Sequence, residues 1–303
     1  MKTSKLLFLL ASLTFICSCN NDDESAPNTN PIIDPIIVST GMYVVNEGNF
    51  YAGIDGSLSY LDYASNNLSN KVFQQNNGKS LGGTPNDGII FKNMLVIPAT
   101  DEKIVWFIDA QTFKIIEQLS LSFQPRYVTA GMDCVYISTY DGRVISYNPD
   151  TKETKTSDVI GACLEDIVFL NDFIYVCNSF NPDYTYNTNV VKLKTSDLSK
   201  VADINVVCNP TQIETDGNVV YVLSSGDYYN ITPIIQLIDA NDNVKKICSG
   251  CSFTIGNGML FYYVASDALN LSSGISYKAL NLTTAEEYKF IDGKDIEYPD
   301  RIA

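Results

Sequence analysis

Side chains that could perform catalysis or bind a metal are sparse in this chain of 303 residues, which contains no histidine. Catalysis by a Ser-His-Asp or Cys-His arrangement needs an imidazole base. Histidine is also a common zinc ligand and the axial ligand of many haem groups. The sequence excludes these histidine-dependent sites, and we expect a protein that is not an enzyme and has no cofactor.

Cysteine pairs are the next candidates for chemistry. Cys248-Ser249-Gly250-Cys251 has the C-x-x-C spacing, but no second pair completes a zinc site and no βαβ pattern surrounds it. Two unreactive thiols or a local disulfide are therefore favoured. Cys163 and Cys177 flank a predicted hairpin turn, where a cross-strand disulfide could form.

Aromatic and amide side chains are the most prominent candidates for ligand binding, with 19 tyrosines in the chain. Flat rings and amide groups combine apolar contact with hydrogen bonds at modest entropic cost, which suits a bulky, partly polar ligand. Some of these rings could instead pack within long loops. The candidates of this kind, with one neighbouring carboxylate, are Asn46, Glu47, Asn49, Phe50, Tyr51, Tyr140, Asn178, Phe180, Tyr184, Tyr186, Tyr228 and Tyr229.

Further polar candidates follow a recurrent proline. Asn86 and Asp87 come after one such proline and Arg126 after the next, while Glu165 occupies the matching position in the following segment. Arg126 facing Glu165 could orient a ligand amide or carboxylate. The two could equally form a salt bridge between structural units, and this is the favoured interpretation.

An internal repeat determines how these residues are positioned. Apolar pairs begin at Tyr43, Val96, Tyr136, Tyr175, Tyr221 and Phe261, so the intervals are 53, 40, 39, 46 and 40 residues. Most pairs are followed by a second apolar run that ends in Asp or Asn, a residue suited to tight turns. Four short strands per 40–45 residues is the blade period of a β-propeller. The sequence predicts an all-β propeller of four-stranded blades. The alternative is another all-β architecture in which this spacing is accidental.

The number of blades depends on the two ends of the repeat. The first unit lacks a proline-led strand before Tyr43, and residues 298–303 match the start of another unit. Either that segment completes the first blade of a six-bladed ring, or the ring has seven blades and the last is incomplete in this chain. We favour seven, because a natural chain rarely stops just after the proline of a core strand. The predicted propeller domain is 41–303.

The first forty residues have a different character. Lys2 and Lys5 precede a short apolar stretch, which ends in a sequence, Ile16-Cys17-Ser18-Cys19, that resembles the lipobox of bacterial lipoproteins. We expect residues 1–18 to be a lipoprotein signal peptide, Cys19 to be lipidated, and 19–40 to be a flexible tether. The alternative is an ordinary secretory signal with chance cysteines.

Charge restricts the location and the partners. The acidic run Asn20-Asn21-Asp22-Asp23-Glu24 resembles the signal that directs Bacteroidetes lipoproteins to the outer face of the outer membrane. We expect a lipid-anchored protein of the outer membrane, exposed at the cell surface. The net charge of −15 repels nucleic acid, so we expect no nucleic-acid partner.

Three segments of the chain, 41–49, 56–60 and 298–303, resemble the YncE-like propeller lipoproteins of Bacteroidetes that carry a DUF5074 region. The resemblance covers nearly all of the mature chain. It implies a seven-bladed ring whose proline-led strands line a central channel. Some members capture corrinoids and pass them to a TonB-dependent transporter. The resemblance thus implies ligand capture, without identifying the ligand.

The sequence therefore predicts a surface lipoprotein that captures a bulky small molecule, with a corrinoid such as vitamin B12 as the best candidate, for a TonB-dependent outer-membrane transporter. One alternative is an adhesion or scaffolding propeller that binds a protein or a glycan. Another is a calcium-dependent propeller hydrolase or lactonase. That enzyme would need converging carboxylates in the channel, whereas the acidic residues there alternate with Arg126 and Thr211.

Overall fold

The computed structural model describes residues 39–265 and 274–291. The predicted signal peptide, the lipidated Cys19, most of the tether and the segment 298–303 lie outside the described residues. In the described part, no helix is long and apolar enough to cross a membrane.

Strands dominate the described residues and form six antiparallel sheets, each ordered along the chain. We number the sheets as blades 1 to 6. Blade 1 contains β1 (Gly41–Asn46), β2 (Ser57–Asp62) and β3 (Asn67–Ser69). Blade 2 contains β4 (Ile89–Phe91), β5 (Met94–Ala99), β6 (Ile104–Asp109) and β7 (Ile115–Ser120). Blade 3 contains β8 (Pro125–Gly131), β9 (Cys134–Thr139), β10 (Val144–Tyr147) and β11 (Thr154–Thr156).

The remaining three blades repeat the four-stranded pattern. Blade 4 contains β12 (Leu164–Leu170), β13 (Phe173–Phe180), β14 (Tyr186–Lys194) and β15 (Lys200–Asn205). Blade 5 contains β16 (Pro210–Thr215), β17 (Val220–Ser224), β18 (Ile234–Ile238) and β19 (Val244–Ser249). Blade 6 contains β20 (Ser252–Gly256), β21 (Met259–Val264), β22 (Ser276–Asn281) and β23 (Glu287–Ile291).

The predicted all-β propeller of four-stranded blades is confirmed. The described residues form six blades, where the sequence favoured seven with the last incomplete. The segment expected to begin another blade, 298–303, is not among the described residues. In blade 1, β1 corresponds to the second strand of the repeat, so the described part of this blade has three strands.

Two short helices accompany blade 1: a 3-10 helix, Phe50–Ala52, between β1 and β2, and α1, Val72–Asn77, after β3. Helix α1 was not predicted, because six residues are too few for a helical period to be recognisable. Its buried Phe73 packs against Trp106 of blade 2, with ring centres 5.1 Å apart. The helix thereby fills the space between the first two blades.

Apolar clusters lie between neighbouring blades, since each sheet presents alternate side chains to its two neighbours. Between blades 2 and 3, for example, Val96 and Phe107 pack against Ile137 and Tyr147. Between blades 3 and 4, Tyr136 packs with apolar residues of β12 to β14. The core is therefore a series of interblade layers.

The innermost strands of blades 2 to 5 are joined to the next blade by side chains that accept hydrogen bonds from its backbone. The amide of Val128 donates to Asp87 Oδ2 (2.9 Å), and the amide of Ile213 donates to Asp166 Oδ2 (3.0 Å). Thr129 and Glu214 accept from Phe169 and Ile255 in the same way. These bonds satisfy inner-strand amides that lie away from solvent.

None of the six cysteines in the described residues forms a disulfide. The cross-strand disulfide between Cys163 and Cys177 is thus absent, and Cys248 and Cys251 are not bonded to each other. Burial raises the pKa of the Cys248 thiol to about 11. Since the thiolate is the reactive form, this agrees with an unreactive thiol.

Candidate functional site

One end of the propeller carries the loops between the second and third strand of each blade, together with the segments that lead into the next blade. We call this end the upper face. Backbone hydrogen bonds join the two kinds of segment, as from Tyr140 N to Gln124 O (3.0 Å) and from Cys163 N to Tyr140 O (3.1 Å). All sixteen residues that the sequence analysis proposed for ligand binding lie at this end of their strands or in its loops.

Arg126, Tyr140 and Glu165 form a cluster on the upper face at the start of the innermost strands of blades 3 and 4. Arg126 Nη2 lies 2.7 Å from Glu165 Oε2, and the two side chains are 11% and 9% exposed. This confirms a salt bridge between blades. The guanidinium carbon lies 4.4 Å from the centre of the Tyr140 ring and 5.2 Å from that of Tyr127. Two rings and one carboxylate thus fix the arginine.

The Arg126 side chain retains one unsatisfied group. Its Nε atom is buried and has no hydrogen-bond partner among the described residues. Burial by itself would lower the pKa of Arg126, but the charge of Glu165, its hydrogen bond to Arg126 and the neighbouring Tyr127 and Tyr140 together outweigh burial, and the pKa is raised. The guanidinium therefore stays charged, and its Nε could donate to a ligand oxygen that reaches it.

Tyr140 connects this cluster electrostatically to blade 1. Burial raises the pKa of Tyr140 to about 12, with Arg126 opposing the shift and the carboxylates of Glu165 and Glu47 adding to it. Glu47 is exposed in the loop after β1. The side chains of blades 1, 3 and 4 thus influence one another across the upper face.

The loop of blade 1 presents two exposed rings. Asn49 caps the short 3-10 helix by accepting a hydrogen bond from Ala52 N at 2.9 Å. The cap fixes a turn that leaves Phe50 70% and Tyr51 98% exposed. Their ring centres lie 5.6 Å apart, edge to face. The turn thus places both rings in solvent and in contact with each other.

A larger aromatic group lies on blades 4 and 5; we call it the aromatic cluster. Tyr186 of blade 4 meets Tyr228 of blade 5 edge to face, with ring centres 6.0 Å apart. Phe180 and Tyr184 stack nearly parallel at 6.4 Å. Tyr184 and Tyr229 are 80% and 86% exposed. The structure therefore brings the predicted rings of these two blades together.

Asp227 organises the blade 5 part of the aromatic cluster and is not among the residues predicted from the sequence. Its Oδ1 accepts hydrogen bonds from the amides of Tyr229, Asn230 and Ile231 at 2.7 to 2.9 Å. These bonds lower the pKa of Asp227. The preceding Gly226 has φ +76°, which favours glycine. The Gly-Asp pair could have identified this turn.

Several predicted amide and carboxylate residues make hydrogen bonds within the protein. Asn46 Nδ2 donates to Ser57 O and Ser59 Oγ within blade 1. Asn86 Nδ2 donates to Thr84 O and Thr100 Oγ1. The Asp87 carboxylate accepts from Val128, as described above. These groups shape the upper face, and direct ligand contact by them stays a prediction.

Asn178 is the most fully engaged of these amides. Its Oδ1 accepts from Ala162 N (3.0 Å) and Asn187 Nδ2 (3.2 Å), and its Nδ2 donates to Asn189 Oδ1 (2.9 Å). Asn187 accepts in turn from Asn181 at 2.9 Å. This chain of amides fixes the loop that carries Tyr184.

The upper face therefore presents groups that could contact a ligand. It combines exposed rings, an arginine with one free donor and exposed loop amides. Among the described residues, no group of three Cys, Asp or Glu side chains is placed to hold a metal ion.

Comparison with known proteins agrees with this architecture. Six radial sheets with a loop-built upper face define the molecule as a β-propeller. The chain belongs to the family described as a domain of unknown function, DUF5074, whose sequence profile matches residues 40–296. No curated protein matches the sequence.

Two solved structures show the same fold at low identity. The hydrazine synthase of Kuenenia stuttgartiensis has a TM-score of 0.53 at 15% identity, with 64% of this chain and 61% of that chain covered. The computationally designed protein Ika8 has a TM-score of 0.55 at 10% identity, with 80% and 70% covered. At these identities the likeness concerns the fold alone.

Proposed function

We propose that the protein captures a bulky, partly polar small molecule on its upper face. The observation that carries the proposal is the aromatic cluster, where Tyr184, Tyr186, Tyr228 and Tyr229 expose their rings instead of burying them. Exposed rings that project from loops fixed by Asn and Asp side chains supply contact area without much loss of side-chain entropy.

The second supporting feature is the Arg126 Nε donor near the innermost strands. A ligand that covers the rings and also presents a carbonyl or amide oxygen would satisfy this buried donor. A buried donor without a partner costs about 1–3 kcal/mol, so its satisfaction would favour binding. The ligand class that fits is large, with both flat apolar surface and amide groups.

A corrinoid such as vitamin B12 has both properties and is our leading candidate, by the resemblance described for the sequence. The predicted lipid on Cys19 would hold the propeller at the outer membrane. From there it would pass the ligand to a TonB-dependent transporter. This assignment needs no cofactor in the protein itself.

Isothermal calorimetry on the mature chain without its lipid tests the proposal. Cyanocobalamin, haem and a panel of bacterial glycans would be titrated in parallel. Saturable one-to-one binding of cyanocobalamin supports corrinoid capture. Binding of glycans alone would instead support the adhesion alternative. In a separate incubation with a lactone, release of a hydrolysis product would support the enzyme alternative.

A further inference from the structure

A cavity of about 550 Å³ lies between blades 3 and 4 at the end of the propeller opposite the upper face. We call it the blade 3–4 cavity. It lies beside the turns that join the first to the second strand and the third to the fourth strand. Its volume falls within the range of small-molecule sites. Apolar surface dominates its lining, with Met132, Cys134 and the rings of Tyr136 and Phe173 among the wall residues.

A row of four polar side chains crosses blade 3 on the face directed to blade 4. Thr129, Tyr136, Ser146 and Lys155 are register partners on successive strands. The two outer members bond to blade 4, because Thr129 Oγ1 accepts from Phe169 N and Lys155 Nζ donates to Ser196 O.

The two inner members of the row, Tyr136 and Ser146, line the cavity and have no hydrogen-bond partner within the described residues. Tyr136 is 2% exposed and Ser146 is 4% exposed. Although both side chains are mostly covered, their hydroxyl oxygens are open to the cavity, where a ligand could accept hydrogen bonds from them.

The equivalent positions in other blades are satisfied or filled. In blade 2 they hold Val96 and Phe107, which pack directly against blade 3. In blade 4 they hold Tyr175 and Lys192, and the lysine lies over the tyrosine ring and pairs with Asp242 of blade 5 at 2.7 Å.

The Tyr221 hydroxyl of blade 5 donates to Asp216 at 3.2 Å. Tyr175 and Tyr221 match Tyr136 in the repeat, and both interact with a charged partner inside the protein. Tyr136 differs from them although all three occupy the same place in their blades.

We propose that the blade 3–4 cavity binds an uncharged planar aromatic molecule whose hydrogen-bond acceptor meets the hydroxyls of Tyr136 and Ser146. The apolar walls favour a ring system. Charges of both signs at the rim, from Asp133, Asp172 and Lys194, give no preference for an ion. This site is separate from the upper face and does not depend on the function proposed for it.

Fluorescence titration with Prodan, an uncharged naphthalene ketone whose emission shifts to the blue in apolar sites, tests the proposal. The sample is the mature chain, residues 19–303, with Cys19→Ser to prevent lipidation. We expect saturable binding with a blue shift. Tyr136→Phe keeps the ring and removes one donor, so it should weaken binding roughly fivefold. Ser146→Phe copies Phe107 of blade 2, fills the cavity and should abolish binding.

Tyr175→Phe is the matched control, because it removes the equivalent hydroxyl from the neighbouring interblade layer. It should leave Prodan affinity within about twofold. Circular dichroism melting verifies that each variant is folded. The proposal is overturned if Prodan shows no saturable binding, or if Tyr136→Phe and Tyr175→Phe bind it equally. Loss of binding in a Tyr186→Ala, Tyr228→Ala variant would assign the probe to the upper face and would also overturn it.

Discussion

Arg126 shows at the residue scale how a structural contact can also serve recognition. Its Nη2 group completes the salt bridge to Glu165, and its guanidinium carbon lies over the ring of Tyr140. Its buried Nε has no partner among the described residues. The two interpretations of this pair that the sequence allowed are therefore compatible, since the salt bridge fixes the arginine and one donor stays available.

Glu165→Gln should lower the free energy of unfolding by about 3 kcal/mol, because the buried guanidinium loses its counter-charge. Replacing both partners, as in Arg126→Met with Glu165→Leu, should cost less than the sum of the single changes. The exposed pair Lys92–Asp150 provides the control, and Asp150→Asn should cost under about 1 kcal/mol. Urea unfolding measures these three variants and the two single changes, Arg126→Met and Glu165→Leu. Equal losses for Glu165→Gln and Asp150→Asn would contradict the buried pairing.

Buried tyrosines make the stability sensitive to alkaline pH. Burial raises the pKa of Tyr136 and of Tyr221 to about 12 from 10.0. The unfolded chain loses these protons first, so the stabilisation is complete below pH 10 and is lost as the pH rises to about 12. Melting temperatures between pH 8 and 12 should fall across this window. The fall should be shallower in a variant with both Tyr136→Phe and Tyr221→Phe. If this variant and the unchanged protein lose stability identically with pH, these two tyrosines are not the cause.

The innermost strands depend, at the element scale, on the side chains that join one blade to the next. Asp166 is 3% exposed and accepts from Ile167 N and Ile213 N. Asp166→Ala leaves the Ile213 amide without its partner and should cost about 2 kcal/mol in unfolding free energy. Asp183→Ala, which removes an exposed loop carboxylate, is the control and should cost well under half as much. Equal effects would show that the interblade bond is not important for stability.

The sequence predicted the strands well, because each blade repeats the same local pattern. The apolar pairs at Tyr136 and Tyr221 lie in second strands as expected, and the aromatic candidates lie at one end of the sheets. The order of the antiparallel strands alone determines at which end of a blade each loop lies. The internal engagement of Asp87 and Asn178 could not be predicted, because their partners are set by packing and lie up to 41 residues away in the chain.

The blade 3–4 cavity was also beyond sequence reasoning. Tyr136 and Ser146 are register partners in blade 3, and the facing residues of blade 4 do not fill the space beside them. Each of the two residues, taken alone, is ordinary for a strand. Only a comparison of equivalent positions across aligned blades could have indicated it. Repeats make such a comparison informative, since each blade serves as a reference for the others.

The whole molecule has two distinct recognition regions in our account, one at each end of the blades. The upper face would meet a bulky ligand, and the cavity at the other end would bind a small planar one. The predicted lipid on Cys19 would determine where both regions act. Cys19→Ala should abolish incorporation of labelled palmitate and release the protein from membranes or leave it unprocessed. Normal labelling of that variant would refute the predicted lipidation site.

The central claim is that exposed rings of the upper face supply most of the energy for ligand capture, and calorimetry with cyanocobalamin tests it most directly. Tyr186→Ala with Tyr228→Ala removes the contact between blades 4 and 5 and should weaken binding by thirtyfold or more, about 2 kcal/mol. Tyr288→Ala removes a 48% exposed tyrosine from the last strand of blade 6 and should leave the affinity unchanged. Glu165→Gln should cost less than the paired tyrosines. An equal or larger loss from Glu165→Gln, or an unchanged affinity in the paired variant, would contradict the account.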